Sequence, residues 1–371
     1  MRSQPELGHG DAVGPCVFVP RPMVGLDDVK VQEVSAGSMH ALLLLQEGEV
    51  WSCGVGRHGC LGHGDDDLSD CAAPRRITAL AAIRAGQVSA GDFHSLVLDR
   101  DGQLFSFGFA AGGRLGRSGG DGMGGGETAR RIDALPRQVE VLSGTTLRQV
   151  SAGSAHNLAV GESGELFTWG ALSYGRLGRG GEDGANGYED LPGRVGLLAR
   201  VRIQQASAGG SHSLAVTADG ALYSWGCGGS GRLGHGTEAD CWAPKRVAAL
   251  QDTGRVQHAE AGVAHSVILT TEGKVLTCGS NFRCCIGHCP DEGKRLPTEV
   301  QSLAGVAVEA VATGSSHTVV QLATGELRAV GCNELGQLGG GAEARGEDEM
   351  AGASMGGVAV SPVDVALPVS R

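Results

Sequence analysis

The feature that most constrains this chain is that it repeats itself. A Leu/Ile-Gly pair recurs at Gly8, Gly62, Gly116, Gly178, Gly234, Gly287 and Gly339, at intervals of 54, 54, 62, 56, 53 and 52 residues. Between successive pairs lie two more landmarks. One is Ala/Thr-Gly-x-x-His, ending at His40, His94, His156, His212, His265 and His317. The other is a turn glycine at Gly48, Gly102, Gly164, Gly220, Gly273 and Gly325. A unit this short cannot bury an apolar face alone, so neighbouring copies must stack to make a core.

The unit is plainest from Ser207 to Leu250. An alternating run ending at Val216 meets Asp219-Gly220, and a second run follows from Leu222 to Trp225. Alternation on both sides of an Asp-Gly pair predicts a β-hairpin. Short strands, glycine turns and almost no helical periodicity make the chain all-β. Taken in order, A-G-x-x-H-S-L, x-G-x-L-x-S-W-G, G-x-L-G-H-G and P-x-x-V resemble the repeat of the regulator of chromosome condensation family. The resemblance covers essentially the whole chain. It implies a β-propeller with one four-stranded blade per repeat, and hence a single domain over residues 1–371.

Counting units leaves the ring open to two arrangements. Residues 1–30 are half a unit, with L-G-H-G at Leu7 to Gly10 and then Pro20 and Val24, and no matching hairpin before them. Residues 31–371 hold six full units. The resemblance favours seven places with one blade incomplete. Six closed blades, with the N-terminal half pairing at the seam, is the alternative. Residues 117–131 and 342–355 break the repeat and are expected as irregular surface loops, the first Gly-rich and the second acidic at Glu343, Glu347, Asp348 and Glu349.

A formal net charge of −11 disfavours a phosphate backbone as the partner. No basic arm is present of the kind that chromatin-bound members of the resembled family carry. The start lacks a secretory pattern, and no apolar run approaches the roughly 20 residues of a membrane helix. The expectation is a soluble, monomeric protein of the cytoplasm or nucleus with no membrane insertion. Cysteines follow repeat register: Cys53 and Cys278 share the slot of Phe107, Trp169 and Trp225, and Cys71 pairs in position with Cys241. That pattern reads as reduced packing residues.

No residue set here predicts catalysis, a cofactor or a metal. The six signature histidines recur in every unit, whereas catalysis needs one asymmetric constellation. They are expected to tie strands together, one nitrogen donating and the other accepting. Cys284, Cys285, His288 and Cys289 offer metal-ligand chemistry, but adjacent cysteines suit one tetrahedral site poorly. The glycines of 118–126 lack the Gly-Lys-Ser/Thr ending of a phosphate loop. Candidate partner-binding residues are Arg114, Arg117, Arg130 and Arg131 around the Gly-rich loop, the acidic run Asp65, Asp66 and Asp67, and Trp242 in a variable loop.

Function then divides three ways. The resemblance implies a non-catalytic interaction propeller, with nucleotide exchange on a small GTPase as the family's founding activity. That work needs only preferential binding to the nucleotide-free state. A general scaffold or targeting module, of the kind found beside ubiquitin-ligase domains, is the alternative. A plant-type UV-B receptor is excluded on its own chemistry, since it needs clustered tryptophans. None of the six Gly-x-x-His motifs holds Trp, and the chain has only 4.

Overall fold

The computed structural model describes residues 7–10, 17, 19–27, 29–64, 66–118, 132–181, 187–288 and 292–339, and the backbone of 358–364. These form a six-bladed β-propeller of four-stranded antiparallel blades. Blade 1 comprises β1 (Val31–Ala36), β2 (His40–Leu45), β3 (Val50–Gly54) and β4 (Cys71–Arg76). Blade 2 follows with β5 (Ala85–Ala90), β6 (His94–Asp99), β7 (Leu104–Phe109) and β8 (Ile132–Gln138). Blade 3 is β9 (Leu147–Ala152), β10 (His156–Gly161), β11 (Leu166–Ala171) and β12 (Tyr188–Arg194). Blade 4 is β13 (Ile203–Ala208), β14 (His212–Thr217), β15 (Leu222–Gly226) and β16 (Cys241–Arg246). Blade 5 is β17 (Val256–Ala261), β18 (His265–Thr270), β19 (Val275–Gly279) and β20 (Lys294–Glu299). Blade 6 is β21 (Val308–Thr313), β22 (His317–Leu322), β23 (Leu327–Cys332) and β24 (Val358–Asp364).

The hairpin at Asp219-Gly220 forms as its sequence predicts. Gly220 N donates to Thr217 O (2.9 Å), and Gly220 sits at φ +83°. The second strand of the unit is different from the half-buried ribbon that alternation suggests. All six residues of β14, like those of β2 and β18, are buried. Each such strand is covered on both sides, β14 and β18 by neighbouring blades and β2 by blade 2 and by Met23 and Leu26, so both of its faces must be small or apolar.

The core is accordingly divided among junctions. Leu42, Leu44 and Val50 of blade 1 pack with Val88, Val97 and Phe107 of blade 2, and Ile77 and Leu80 of the connection fill the space between. Four more clusters repeat this at the next four junctions. The inner strands of all six blades line an axial channel, with Glu33, Gln87, Gln149 and Glu260 among the lining residues.

Six complete blades are present, the count given by the alternative to seven places. The described residues between 7 and 26 build no seventh sheet; Gly10, Met23 and Leu26 lie against blade 1 instead. They do so in repeat register. Gly10 N donates to Ala72 O (2.8 Å), as Gly64 N does to Ala134 O (3.2 Å) and Gly236 N to Arg295 O (2.9 Å) in later units. Met23 and Leu26 pack on Ala41, Leu43 and Cys53, the part that Ile77 and Leu80 play one junction later. Half a unit carries an outer strap without the hairpin it would pair with, so it adds a cover and no sheet.

Candidate partner-binding face

Each blade places two loops at the same end, the one joining its first two strands and the one joining its third to its fourth. A backbone bond zips them together in every blade, for example Phe109 N to Phe93 O (2.9 Å) and Cys227 N to Ser211 O (2.9 Å). The longer connection turns through a single helical turn whose tip recurs in a left-handed conformation. Gly112, Tyr174, Ser230 and Arg283 occupy that position at φ 72°, 63°, 61° and 58°. Three non-glycine residues held in that region store strain that the flanking bonds must offset. The backbone is therefore constant at the tip while the side chain it presents varies.

Beneath the tips runs the network that the signature histidines build. His40 Nε2 lies 2.8 Å from Ser95 Oγ, and that hydroxyl spends its proton on Cys60 O (2.8 Å). The imidazole must therefore be the donor. The same logic holds for His156 with Ser213, whose hydroxyl donates to Arg176 O (2.8 Å), and for His212 with Ser266, which donates to Arg232 O (2.7 Å). His94 donates to Asn157 Oδ1 (2.6 Å). Trp169 and Trp225 send their indole N–H groups to Arg114 O and Arg176 O, the same carbonyls. In every case a histidine of one blade is bonded to the next blade, which returns a bond to the first. The second ring nitrogen, expected to accept, has no partner among the described residues in His40, His94, His156, His212 or His265. Burial, the dominant cause, pushes His40 and His94 down to about 3 and His265 to about 4, so the rings are neutral.

Three arginines share one repeat position on this face: Arg114, Arg176 and Arg232. Two are spent on the junction. Arg176 donates from Nε to Ser173 O (2.9 Å) and from Nη1 to Gly210 O of the next blade (3.1 Å). Arg232 does likewise to Gly229 O (2.9 Å) and Val263 O (3.2 Å). Arg114 differs. Its Nε is buried without a partner among the described residues, and its guanidinium lies 5.2 Å from the centroid of Phe109. Phe109, Phe93 and His58 form an aromatic cluster there, with His58 4.7 Å from Phe93 and 5.9 Å from Phe109. Tyr174 at the tip of blade 3 and Phe282 beside the tip of blade 5 are exposed rings, at 47% and 57% exposure.

The other sequence candidates scatter. Arg117 is engaged with Asp133 (2.7 Å) on the wall of blade 2. Asp67 is held by Ser69 and by Arg75 (2.5 Å), which keep its carboxyl down at about 2, while Asp66 is exposed nearby. Trp242 is half-buried against blade 3, where Gly180 N donates to its carbonyl (3.1 Å) and a Cβ on Gly175 would meet it at 2.6 Å. Asp65, Arg130, Arg131, Cys289, most of the 117–131 loop and all of 342–355 lie outside the described residues. Cys285 donates to Ser280 O (3.1 Å) and His288 bonds Thr277 (2.9 Å); no metal-holding cluster of three or more such side chains exists among the described residues. None of the described helices is long and apolar enough to cross a membrane. Sequence reasoning missed Tyr174 and Phe282. Their signal was there: both stand in the short variable stretch between the third-strand glycine and the Leu/Ile-Gly pair.

Comparison with known proteins agrees with this architecture. The family model of the RCC1-like domain matches residues 2–357. The human E3 ubiquitin-protein ligase HERC2 is 35% identical over 78% of this chain, which spans 6% of that ligase's length. The Ultraviolet-B receptor UVR8 of Arabidopsis thaliana is 31% identical over 84% of this chain and 67% of its own. Among solved structures, Prp20p from Saccharomyces cerevisiae, described with its binding properties to Gsp1p and histones, superposes with a TM-score of 0.75. Its identity is 25%, covering 94% of this chain and 80% of that one.

Proposed function

Because this chain belongs to the RCC1-like domain family, we propose that it is a protein-interaction propeller without catalytic chemistry of its own. It grips its partner with the face that carries Arg114. The observation behind this reading is Arg114 itself. At the same repeat position Arg176 and Arg232 spend their guanidinium groups on the next blade, whereas Arg114 keeps a buried Nε with no partner among the described residues, beside Phe109. Arginine is enriched among interface anchors and is favoured over aromatic faces. Its fork takes a carboxylate through two bonds at once.

The partner class is a protein with an acidic surface element. The finer form of the reading is regulation of a small GTPase by favouring its nucleotide-free state. The likeness to Prp20p, and that protein's binding to Gsp1p, supports this form. A scaffold role beside a ligase domain has its support in the HERC2 match.

Two measurements test the proposal. Proximity labelling with the chain, then with Arg114→Ala and Arg114→Lys, is expected to identify a partner lost in both variants, since lysine cannot reproduce the fork. Retention of every labelled protein in both variants sinks the Arg114 reading. Candidate GTPases loaded with fluorescent nucleotide then separate regulator from scaffold. Accelerated release supports exchange activity; unchanged release with a GTPase that does bind leaves the scaffold role.

A further inference from the structure

In a repeated fold each side chain can be judged against its counterparts, and blade 2 departs from the others at two adjoining positions on the loop face. Phe93 stands where the other blades carry Met39, Ala155, Ser211, Ala264 and Ser316. Phe109 stands where they carry Val55, Ala171, Cys227, Ser280 and Cys332. The fold therefore does not call for an aromatic ring at either place. Both rings are partly exposed and stand edge to face, 6.4 Å apart. His58 from the tip of blade 1 lies against both, at 4.7 and 5.9 Å. A half-open aromatic floor thus forms at the loop end of the junction between blades 1 and 2.

Two guanidinium groups border this floor. The exposed Arg57 donates from Nε to His58 Nε2 (3.2 Å) and from Nη2 to Met39 Sδ (3.7 Å). Arg114 lies over Phe109 at 5.2 Å. Neither has an ion-pair partner among the described residues. The other arginines at the tips are spoken for: Arg176 and Arg232 bond carbonyls of the next blade, and Arg283 pairs with Glu334. Asp92, on the loop that carries Phe93, acts on the charge of Arg114, yet its carboxylate takes the Ser38 hydroxyl (2.6 Å) and stops short of an ion pair. In a chain of net charge −11, two such cations beside partly exposed rings are a local reversal of the overall balance.

We propose that this junction docks a short acidic segment of a partner protein in which one apolar side chain is flanked on both sides by carboxylates. The apolar side chain seats on Phe93 and Phe109, where removal from water gives affinity. One carboxylate goes to Arg114 and the other to Arg57, each guanidinium fork taking two oxygens. Charge complementarity selects the segment, and the apolar residue between the charges sets its register. The proposal rests on the reading of Arg114 as an anchor. It adds Arg57, the aromatic floor and the order of groups on the partner.

The test titrates the 371-residue chain into a fluorescent synthetic peptide, Gly-Asp-Ser-Leu-Ser-Asp-Gly, at low ionic strength. Saturable binding is expected. Arg57→Ala, at an exposed position, and Arg114→Ala are each expected to weaken it about fivefold or more, as is glycine in place of the peptide's leucine. Asp92→Asn removes a competing carboxylate and is expected to strengthen binding, a gain that damage to the fold would not give. Arg84→Ala, at the opposite end of the blades beside the Arg100 turn, leaves it unchanged. Weakening by Arg114→Ala, with indifference to Arg57→Ala and to the leucine, overturns this proposal and leaves Arg114 as an anchor. Indifference to both arginines overturns both readings. Absence of saturable binding, or tighter binding of a single-stranded oligonucleotide whose bases stack on the rings, also overturns the acidic segment.

Discussion

A buried imidazole that can only donate makes each blade junction sensitive to acid. The folded pKa values of His40, His94 and His265 lie well below the ordinary 6.5, and those of His156 and His212 do as well. The unfolded chain therefore takes up these protons first. The stabilisation is whole above pH 6.5 and is lost as pH falls below it, at about 1.4 kcal/mol per pH unit for each histidine that must charge. Urea midpoints are expected to hold steady from pH 8 to 7 and to fall steeply between pH 6 and 5. His156→Gln, which can still donate to Ser213, is expected to make that fall shallower by one proton; an unchanged slope refutes the linkage. Glu33 has the opposite sign. It stands where blades 2 to 4 carry Gln87, Gln149 and Gln205, and burial raises its carboxyl to about 7 against the smaller effect of the Val88 amide. Its contribution is present at low pH and lost as pH rises through 7. Glu33→Gln is expected to raise Tm at pH 8 and leave it unmoved near pH 4; an equal gain at both would show a packing effect.

At the scale of the strand and the turn, the chain announces most of itself. Asp219-Gly220 and its sister pairs mark the hairpins because only glycine sits there without strain at positive φ. The order of the four strands follows from where the turns fall. What the residues could not announce is which blade they bond. The Ser, Asn or Thr after five of the six signature histidines (Ser95, Asn157, Ser213, Ser266 and Thr318) reads as a strand residue, and only three dimensions reveal that it serves the previous blade's imidazole. Arg114, Arg176 and Arg232 look equivalent in sequence; Arg114 lies over Phe109 and Arg176 over Tyr174 (5.8 Å), yet Arg176 and Arg232 also reach carbonyls of the next blade and Arg114 reaches none among the described residues. The closing Leu-Gly pairs have a similar logic. A Cβ on Gly178, at φ +66°, would stand 2.6 Å from the Trp225 indole nitrogen. Gly178→Ala is expected to cost about 2–4 kcal/mol, combining left-handed strain with a clash in a filled junction. Gly144, where nothing lies within 4 Å and φ is ordinary, is the control. Gly144→Ala is expected to be neutral within about 0.5 kcal/mol. Equal costs in chemical denaturation would mean that the junction does not govern stability.

For the whole molecule, blades coupled only to their neighbours need not open together. Blades 2, 3 and 4 are latched on both sides by histidine and by the inner strand. There Gln87 Oε1 accepts from Val150 N (2.8 Å) and Ser89 Oγ from Ala152 N (2.9 Å), and Gln149, Ser151, Gln205 and Ser207 do the same at the next two junctions. Blade 6 is held more loosely. At its junction with blade 5 the Gln and Ser positions are His258 and Glu260, which bond each other at 2.6 Å instead of reaching β21. The remaining histidine contact, His265 with Thr318, is the longest of the five at 3.3 Å. The apolar cluster of Val267, Val300, Val308, Val311 and Val320, the Thr318 Oγ1 bond to Cys285 O (2.7 Å) and the Arg283–Glu334 ion pair still join the two blades. Blade 1 also has a single neighbour, yet Met23 and Leu26 cover its outer side. The order of opening is therefore set: blade 6 first, and the centre of the arc last. In native-state hydrogen exchange the amides of β22 are expected to exchange at least a hundredfold faster than those of β14. Glu260→Ser, which restores a hydroxyl opposite the Thr313 amide, is expected to narrow that difference. Uniform exchange across the six blades would mean that the ring opens as one unit, and that the missing latches carry no energetic weight.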